Sequence, residues 1–181
     1  MIRIISGKFR GKKINDAKDF SVTRPTMDRI KESMFAILQH IVPGARVLDL
    51  FSGTGNLGIE ALSNNAKMCT FVDRDKGAVE NIKSNLKIVG VDAEVLQMDF
   101  LDALSRFASK GVKFDIIFLD PPYDSGLGLS AIKEIKEKHL LSDGGVIVFE
   151  SSKNVKEECE KFFAVDERKY GAKHLYILQN Y

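Results

Sequence analysis

Asp49-Leu50-Phe51-Ser52-Gly53-Thr54-Gly55-Asn56-Leu57-Gly58 is the stretch on which the fold turns. It follows an apolar run at 46–50 and leads into 56–63, where Leu57, Ala61 and Leu62 can pack on a sheet. Gly53, Gly55 and Gly58 have the G-x-G-x-x-G spacing of a strand, a tight turn and a helix N-terminus whose backbone approaches a nucleotide. Asp49 qualifies that reading. A carboxylate at the strand end would repel a pyrophosphate and suits a ligand bearing a positive amino or sulfonium group.

Outward from this turn, strands and helices alternate. Residues 68–72 form a second apolar run ending at Asp73, and 93–97 a third with Asp99 at its end. Residues 114–119 are nearly continuously apolar, as in a strand buried on both faces, and end in Asp120-Pro121-Pro122-Tyr123. Helical periodicity occupies 75–89, 101–109 and about 129–139. Strand 146–149 ends in Glu150, and 162–168 and 175–178 are two more strands joined across Tyr170-Gly171. That connection is too short for a helical crossover, so the last two strands are antiparallel. The pattern predicts an α/β fold, a Rossmann-like sandwich whose mostly parallel sheet carries an antiparallel edge.

The chain has 181 residues, the length of one domain with a small appendage. Its 44% hydrophobic and 29% charged residues are ordinary for a soluble globular protein. No apolar run approaches the roughly 20 residues that cross a bilayer. The N-terminus lacks a signal-peptide core, so a cytoplasmic location is expected. Cys69 and Cys159 have no metal-ligand spacing; they read as small hydrophobes, with neither a disulfide nor a metal expected.

The net charge of +2 hides an asymmetry. Residues 1–24 hold seven basic side chains (Arg3, Lys8, Arg10, Lys12, Lys13, Lys18 and Arg24) against Asp16 and Asp19, a balance of +5 that leaves −3 for the rest. Such a basic arm suits docking on a polyanion. Within it, 2–6 and 12–14 read as a hairpin or ribbon punctuated by Gly7 and Gly11. The division expected is a ribbon at 1–24 and a main domain at 25–181. Pro25 breaks the chain and Thr26 is expected to cap a helix with an apolar stripe of Met27, Ile30, Met34, Ile37 and Ile41. Asp28, Arg29, Lys31 and Glu32 lie off that stripe.

Asp49, Asp73, Asp99 and Asp120 each end one of four successive strands, at the edge where open α/β sheets bind ligands. Asp73 stands about twenty residues beyond the turn, where an acidic group reaches ribose hydroxyls. Asp99 can accept from an adenine amino group, and Phe100 offers an apolar face to the ring. With Asp49 facing a cationic tail, the set describes S-adenosylmethionine, although the glycine spacing and Asp73 fit NAD equally well. In Asp120-Pro121-Pro122-Tyr123 the prolines fix the backbone and remove two N–H donors, so acceptors are presented rigidly. A planar exocyclic amine gripped by those acceptors would direct its nitrogen at a methyl donor, with Tyr123 stacked on the base.

With these motifs placed, the chain resembles class I S-adenosylmethionine-dependent methyltransferases, and more closely the bacterial family that methylates guanine N2 in 16S ribosomal RNA. The resemblance rests on Arg3-Ile4-Ile5-Ser6-Gly7-Lys8-Phe9-Arg10-Gly11, Arg24-Pro25-Thr26-Met27-Asp28-Arg29-Ile30-Lys31-Glu32, residues 49–58, residues 120–123 and Tyr170-Gly171. Ser6 stands where that family more often has glycine, and Asp73 where it has glutamate. The resemblance implies a seven-stranded sheet, cofactor contacts from Asp49, Phe51, Gly53, Gly55, Asp73, Asp99 and Phe100, and a target base held by Asp120, Pro121, Pro122 and Tyr123. It implies RNA contacts from Arg3, Lys8, Arg10, Lys12, Lys13 and Arg29, with Arg24 and Thr26 near the cofactor and target pocket. The expected partner is 16S rRNA in an assembling 30S subunit, met by a monomer. Other readings are methylation of adenine N6 or of a protein glutamine, a nicotinamide-dependent oxidoreductase, and a non-catalytic RNA-binding or assembly factor.

Overall fold

The computed structural model describes residues 1–17, 24–123 and 125–181, and the side chains of these except at 24–26. The chain opens with β1 (Ile2–Arg3) and β2 (Lys13–Ile14), followed by α1 (Arg24–Ile37), β3 (Arg46–Asp49), α2 (Asn56–Ser63), β4 (Met68–Asp73) and α3 (Lys76–Val89). It continues through β5 (Glu94–Gln97), α4 (Phe100–Ser109), β6 (Phe114–Leu119), α5 (Leu127–Glu137) and β7 (Leu141–Ser151). A short α6 (Lys156–Glu160) leads to the closing pair β8 (Ala164–Tyr170) and β9 (Lys173–Gln179).

Seven strands form one sheet in the order β5-β4-β3-β6-β7-β9-β8. β3 pairs in parallel with both β4 and β6, so the strand order reverses between β3 and β6 and opens a crevice at their carboxyl ends. β9 runs antiparallel between β7 and β8, the edge that the short Tyr170-Gly171 connection requires. The central strand β6 is covered on both faces: Phe114, Ile116, Ile117, Phe118 and Leu119 are each at most 1% exposed. Burying each such side chain contributes about 1.5–3 kcal/mol. Ile116 and Phe118 face one apolar layer with α2 and α3, while Ile117 and Leu119 face the other with α4 and α5. Cys69 and Cys159 are buried and unpaired.

The N-terminal ribbon shares the first layer, because Ile2, Ile4 and Ile14 are buried in it. β1 pairs antiparallel with β2, and the bend between them is a single 3-10 turn over Gly7–Phe9. Polar ties reinforce the packing: Phe9 N donates to Ser63 Oγ at 2.9 Å, and Asn15 N to Asn85 Oδ1 at 2.7 Å.

Several boundaries differ from the sequence expectation. α1 begins at Arg24, so Pro25 sits in the first turn, where its missing N–H has no intrahelical partner to lose, and Thr26 lies inside the helix instead of capping it. α1 ends at Ile37, leaving Ile41 in the following turns, where its N–H bonds the Leu38 carbonyl. β7 starts five residues before the apolar run, at Leu141, because the irregular Leu141-to-Gly145 segment still pairs with β6 through a register shift. Lys31 lies off the apolar stripe of α1 and is nevertheless 3% exposed, bonded to Glu60, which is fully buried.

Candidate active site

Asp49 closes β3 with its carboxyl 2% exposed, and Gly58 N in α2 donates to its Oδ2 at 3.0 Å. Burial pushes this carboxyl up to about 8; the Gly58 N–H opposes the rise, while the Asp120 and Asp73 carboxylates add to it. The turn beyond it is pinned to β4, since Ser52 Oγ donates to the Asp49 carbonyl and accepts from Val72 N. Gly55 then enters α2 in the left-handed region, φ 78°, which favours glycine. Gly58 answers a different demand. A Cβ there would lie 2.3 Å from a Phe71 ring carbon and 2.7 Å from Cys69 Sγ, so only glycine lets α2 sit this close to β4.

A cleft of about 280 Å³ lies over this turn. It brings together Asp49, Phe51 and Gly53 from the expected cofactor set with Asp120 and Tyr123 from the expected target set. Pro121 and Pro122 line an adjoining cleft of about 250 Å³ that shares Asp120 and Tyr123 as its wall. The remaining cofactor candidates, Gly55, Asp73, Asp99 and Phe100, are not among the lining residues of the first cleft. Asp73 Oδ2 accepts from Gly53 N and its Oδ1 from Asp75 N, both at 2.9 Å, so this carboxylate fixes the glycine turn against the start of α3. Asp99 Oδ1 caps α4 by accepting from Leu101 N at 2.9 Å. Phe100 is buried with its ring centroid 5.2 Å from that of Phe51, so Phe51 is the ring that faces the cleft.

Asp120 emerges from buried β6 and is accessible from the cleft. The walls around it still displace bulk water. That desolvation, reinforced by the Glu150 carboxylate and opposed by Lys173, pushes its carboxyl up to about 7. Tyr123 is 58% exposed, a ring without a packing partner on its open side, and Lys173 Nζ sits 5.6 Å from its centroid.

Glu150, at a strand end, Lys31, off the apolar stripe of α1, and Lys173 also line the cleft, and the sequence alone gives none of them a place there. Their shared signal is a charge placed beside an apolar run, which a single sequence does not distinguish from a solvated edge. Arg3, Lys8, Arg10, Lys12, Lys13 and Arg29 are all exposed. Lys8 and Lys12 each bring their Nζ over the Phe9 ring, at 5.2 and 5.3 Å, which gathers two of the basic groups around one aromatic side chain. The side chains of Arg24 and Thr26, and all of Lys18, lie outside the described residues.

A doubly wound sheet, a glycine turn under an acidic strand end, and an Asp-Pro-Pro-Tyr segment opening into the same cleft define a class I methyltransferase. The solved structure of yhhF from Escherichia coli superposes with a TM-score of 0.84, at 28% identity over 99% of each chain. A T. thermophilus 16S rRNA N2 methyltransferase, solved with AdoMet and guanosine, shares the fold at a TM-score of 0.75 and 22% identity, over 91% of this chain and 45% of that one. Residues 2–179 match the family described as conserved hypothetical protein 95. Ribosomal RNA small subunit methyltransferase D of Haemophilus influenzae is 37% identical over 156 residues, 84% of this chain and 80% of that protein. The chain belongs to the family of small-subunit ribosomal RNA methyltransferase D.

Proposed function

We propose that this protein transfers a methyl group from S-adenosylmethionine to the exocyclic N2 of a guanine in 16S rRNA. The observation that carries the reading is the single cleft shared by the Asp49 turn and Asp120. Its residues suit that cofactor: the buried Asp49 carboxylate favours a cationic ligand, and no side chain obstructs the outer face of Gly53. Bound there, S-adenosylmethionine supplies a methyl group activated on a sulfonium. Phe51 offers an apolar face in the cleft, and Asp73 and Asp99 keep lone pairs for ribose and adenine beyond those spent on the loops.

The chemistry asked of the protein is positioning. An amine conjugated to a purine is a weak nucleophile, because its lone pair is delocalised into the ring. Ionised Asp120 accepts an N–H, turns the nitrogen toward the cofactor side of the cleft, and takes the proton that the nitrogen sheds. Pro121 and Pro122 hold the carboxylate rigidly, and Tyr123 stacks on the unpaired base. The exposed ribbon lysines and arginines hold the RNA backbone, and an assembling 30S subunit supplies the remaining specificity.

Asp120→Ala tests the assignment. It should abolish methyl transfer to small-subunit RNA while leaving S-adenosylhomocysteine affinity within a few-fold of the parent; normal turnover by this variant would sink the proposal.

A further inference from the structure

Strand register places a second carboxylate beside Asp120. Leu119 in β6 pairs with Phe149 in β7, so Asp120, just beyond the end of β6, lies beside Glu150, still within the adjacent parallel strand β7, at the roughly 4.8 Å spacing of neighbouring strands. Across the antiparallel ladder Glu150 pairs with Leu175, and Lys173, two residues earlier in β9, places its Nζ 2.5 Å from Glu150 Oε1. The Glu150 and Lys173 side chains remain 16% and 19% exposed, and both line the cleft with Asp120 and Tyr123. Along this wall the groups run acceptor, acceptor, donor.

The Watson–Crick edge of guanine has the complementary order: N2–H donor, N1–H donor, O6 acceptor. Adenine presents one amino donor beside the N1 lone pair, which would face the Glu150 carboxylate. A glutamine amide offers no second donor at the N1 position. We propose that Glu150 and Lys173 are specificity-determining residues that read this edge with Asp120: Asp120 accepts from N2–H, Glu150 accepts from N1–H, and Lys173 donates to O6. The proposal rests on the guanine-N2 reading above. Lys173 has three donors, so it can keep its bond to Glu150 while reaching O6. Before the base arrives, that bond keeps the carboxylate beside Asp120 paired. A base lacking N1–H leaves Glu150 opposed to a lone pair, and the penalty for such a mismatch exceeds the gain from the matched bond.

The test compares the parent enzyme with Glu150→Gln on substrate RNA carrying guanine or 2-aminopurine at the methylated position, which is first mapped with the parent. 2-Aminopurine retains the amine but has a lone pair at N1 and no O6. The parent should prefer guanine by about 10- to 100-fold in kcat/KM, the span expected for a lost charge-assisted hydrogen bond. In Glu150→Gln the amide can turn its NH₂ toward N1 of 2-aminopurine, so that preference should shrink by at least about tenfold. Lys173→Met should lower kcat/KM on guanine and narrow the same preference, and it serves as the second variant if Glu150→Gln does not fold. Melting temperature and S-adenosylhomocysteine affinity establish that each variant is folded. An undiminished guanine preference in both variants would overturn the proposal and leave the pair as a tie between β7 and β9. If the parent methylates no guanine N2, the underlying reading fails, an outcome distinct from methylation with unchanged preference.

Discussion

Lys31 Nζ lies 2.9 Å from Glu60 Oε2 with both side chains almost wholly enclosed, and this pair fastens the N-terminal ribbon to the first helix of the nucleotide-type fold. Lys31 also donates to the Arg3 carbonyl and to Asn56 Oδ1, each at 2.8 Å. Glu60 accepts from the backbone of Ile5 and from Ser6 N and Oγ, the latter two at 2.8 Å. Removing one partner leaves the other charge buried and uncompensated, at about 3–5 kcal/mol. Lys31→Met should therefore destabilise the protein by that amount in urea denaturation. Lys31→Met combined with Glu60→Leu should recover part of the loss, because no buried charge remains. A single variant as stable as the parent would show that the pair does not hold the ribbon.

This pair also marks where sequence reasoning stops. The strand ends at Asp49, Asp73, Asp99 and Asp120 were legible, because apolar runs have a period and a direction and a carboxylate after each lands on the same sheet edge. The antiparallel closing strands were legible from the shortness of the Tyr170-Gly171 connection. Lys31 was not: it adjoins an apolar stripe, and its burial depends on Glu60, twenty-nine positions away. Lys173 was hidden for the same reason, since only the β7–β9 register brings it to Glu150. Local pattern fixes faces of elements, and pairing between distant charged residues has no local signature.

Asp49 makes the stability of the ligand-free protein depend on pH. Its carboxyl is raised from 3.8 to about 8 on folding, so between those values the folded state keeps a proton that the unfolded state has lost. Stability from this group is complete below pH 4 and is lost as pH rises through 8, with a slope of up to about 1.4 kcal/mol per unit. Asp49→Asn should flatten that part of the stability profile measured by denaturation from pH 5 to 8. S-adenosylhomocysteine, whose amino group is cationic, should bind the parent more tightly as pH rises toward 8 and lose that dependence in Asp49→Asn.

Gly58 is limited by space. With a Phe71 ring carbon 2.3 Å from the position of a Cβ, Gly58→Ala must move α2 off β4 or displace a fully buried ring. Overpacking of this kind costs about 1–3 kcal/mol. Because α2 opens at the cleft, the variant should also bind S-adenosylhomocysteine more weakly; calorimetry showing parental stability and affinity would mean that the helix yields without cost.

The basic ribbon predicts a salt-dependent RNA contact. Replacing Lys8 and Lys12, whose Nζ atoms lie over the Phe9 ring, with alanine should weaken RNA binding similarly across sequences and lower the slope of log affinity against log salt by about one per phosphate contact removed. Cofactor affinity should stay at the parent value. An unchanged salt slope would place the RNA on another face.

The central claim, methyl transfer to guanine N2 in small-subunit rRNA, is tested most directly by mass spectrometry of nucleosides from 16S rRNA of cells with and without this protein. The account predicts that one N2-methylguanosine disappears when the protein is absent and returns when it, but not its Asp120→Ala variant, is restored. Identical N2-methylguanosine content in the two RNAs would contradict it.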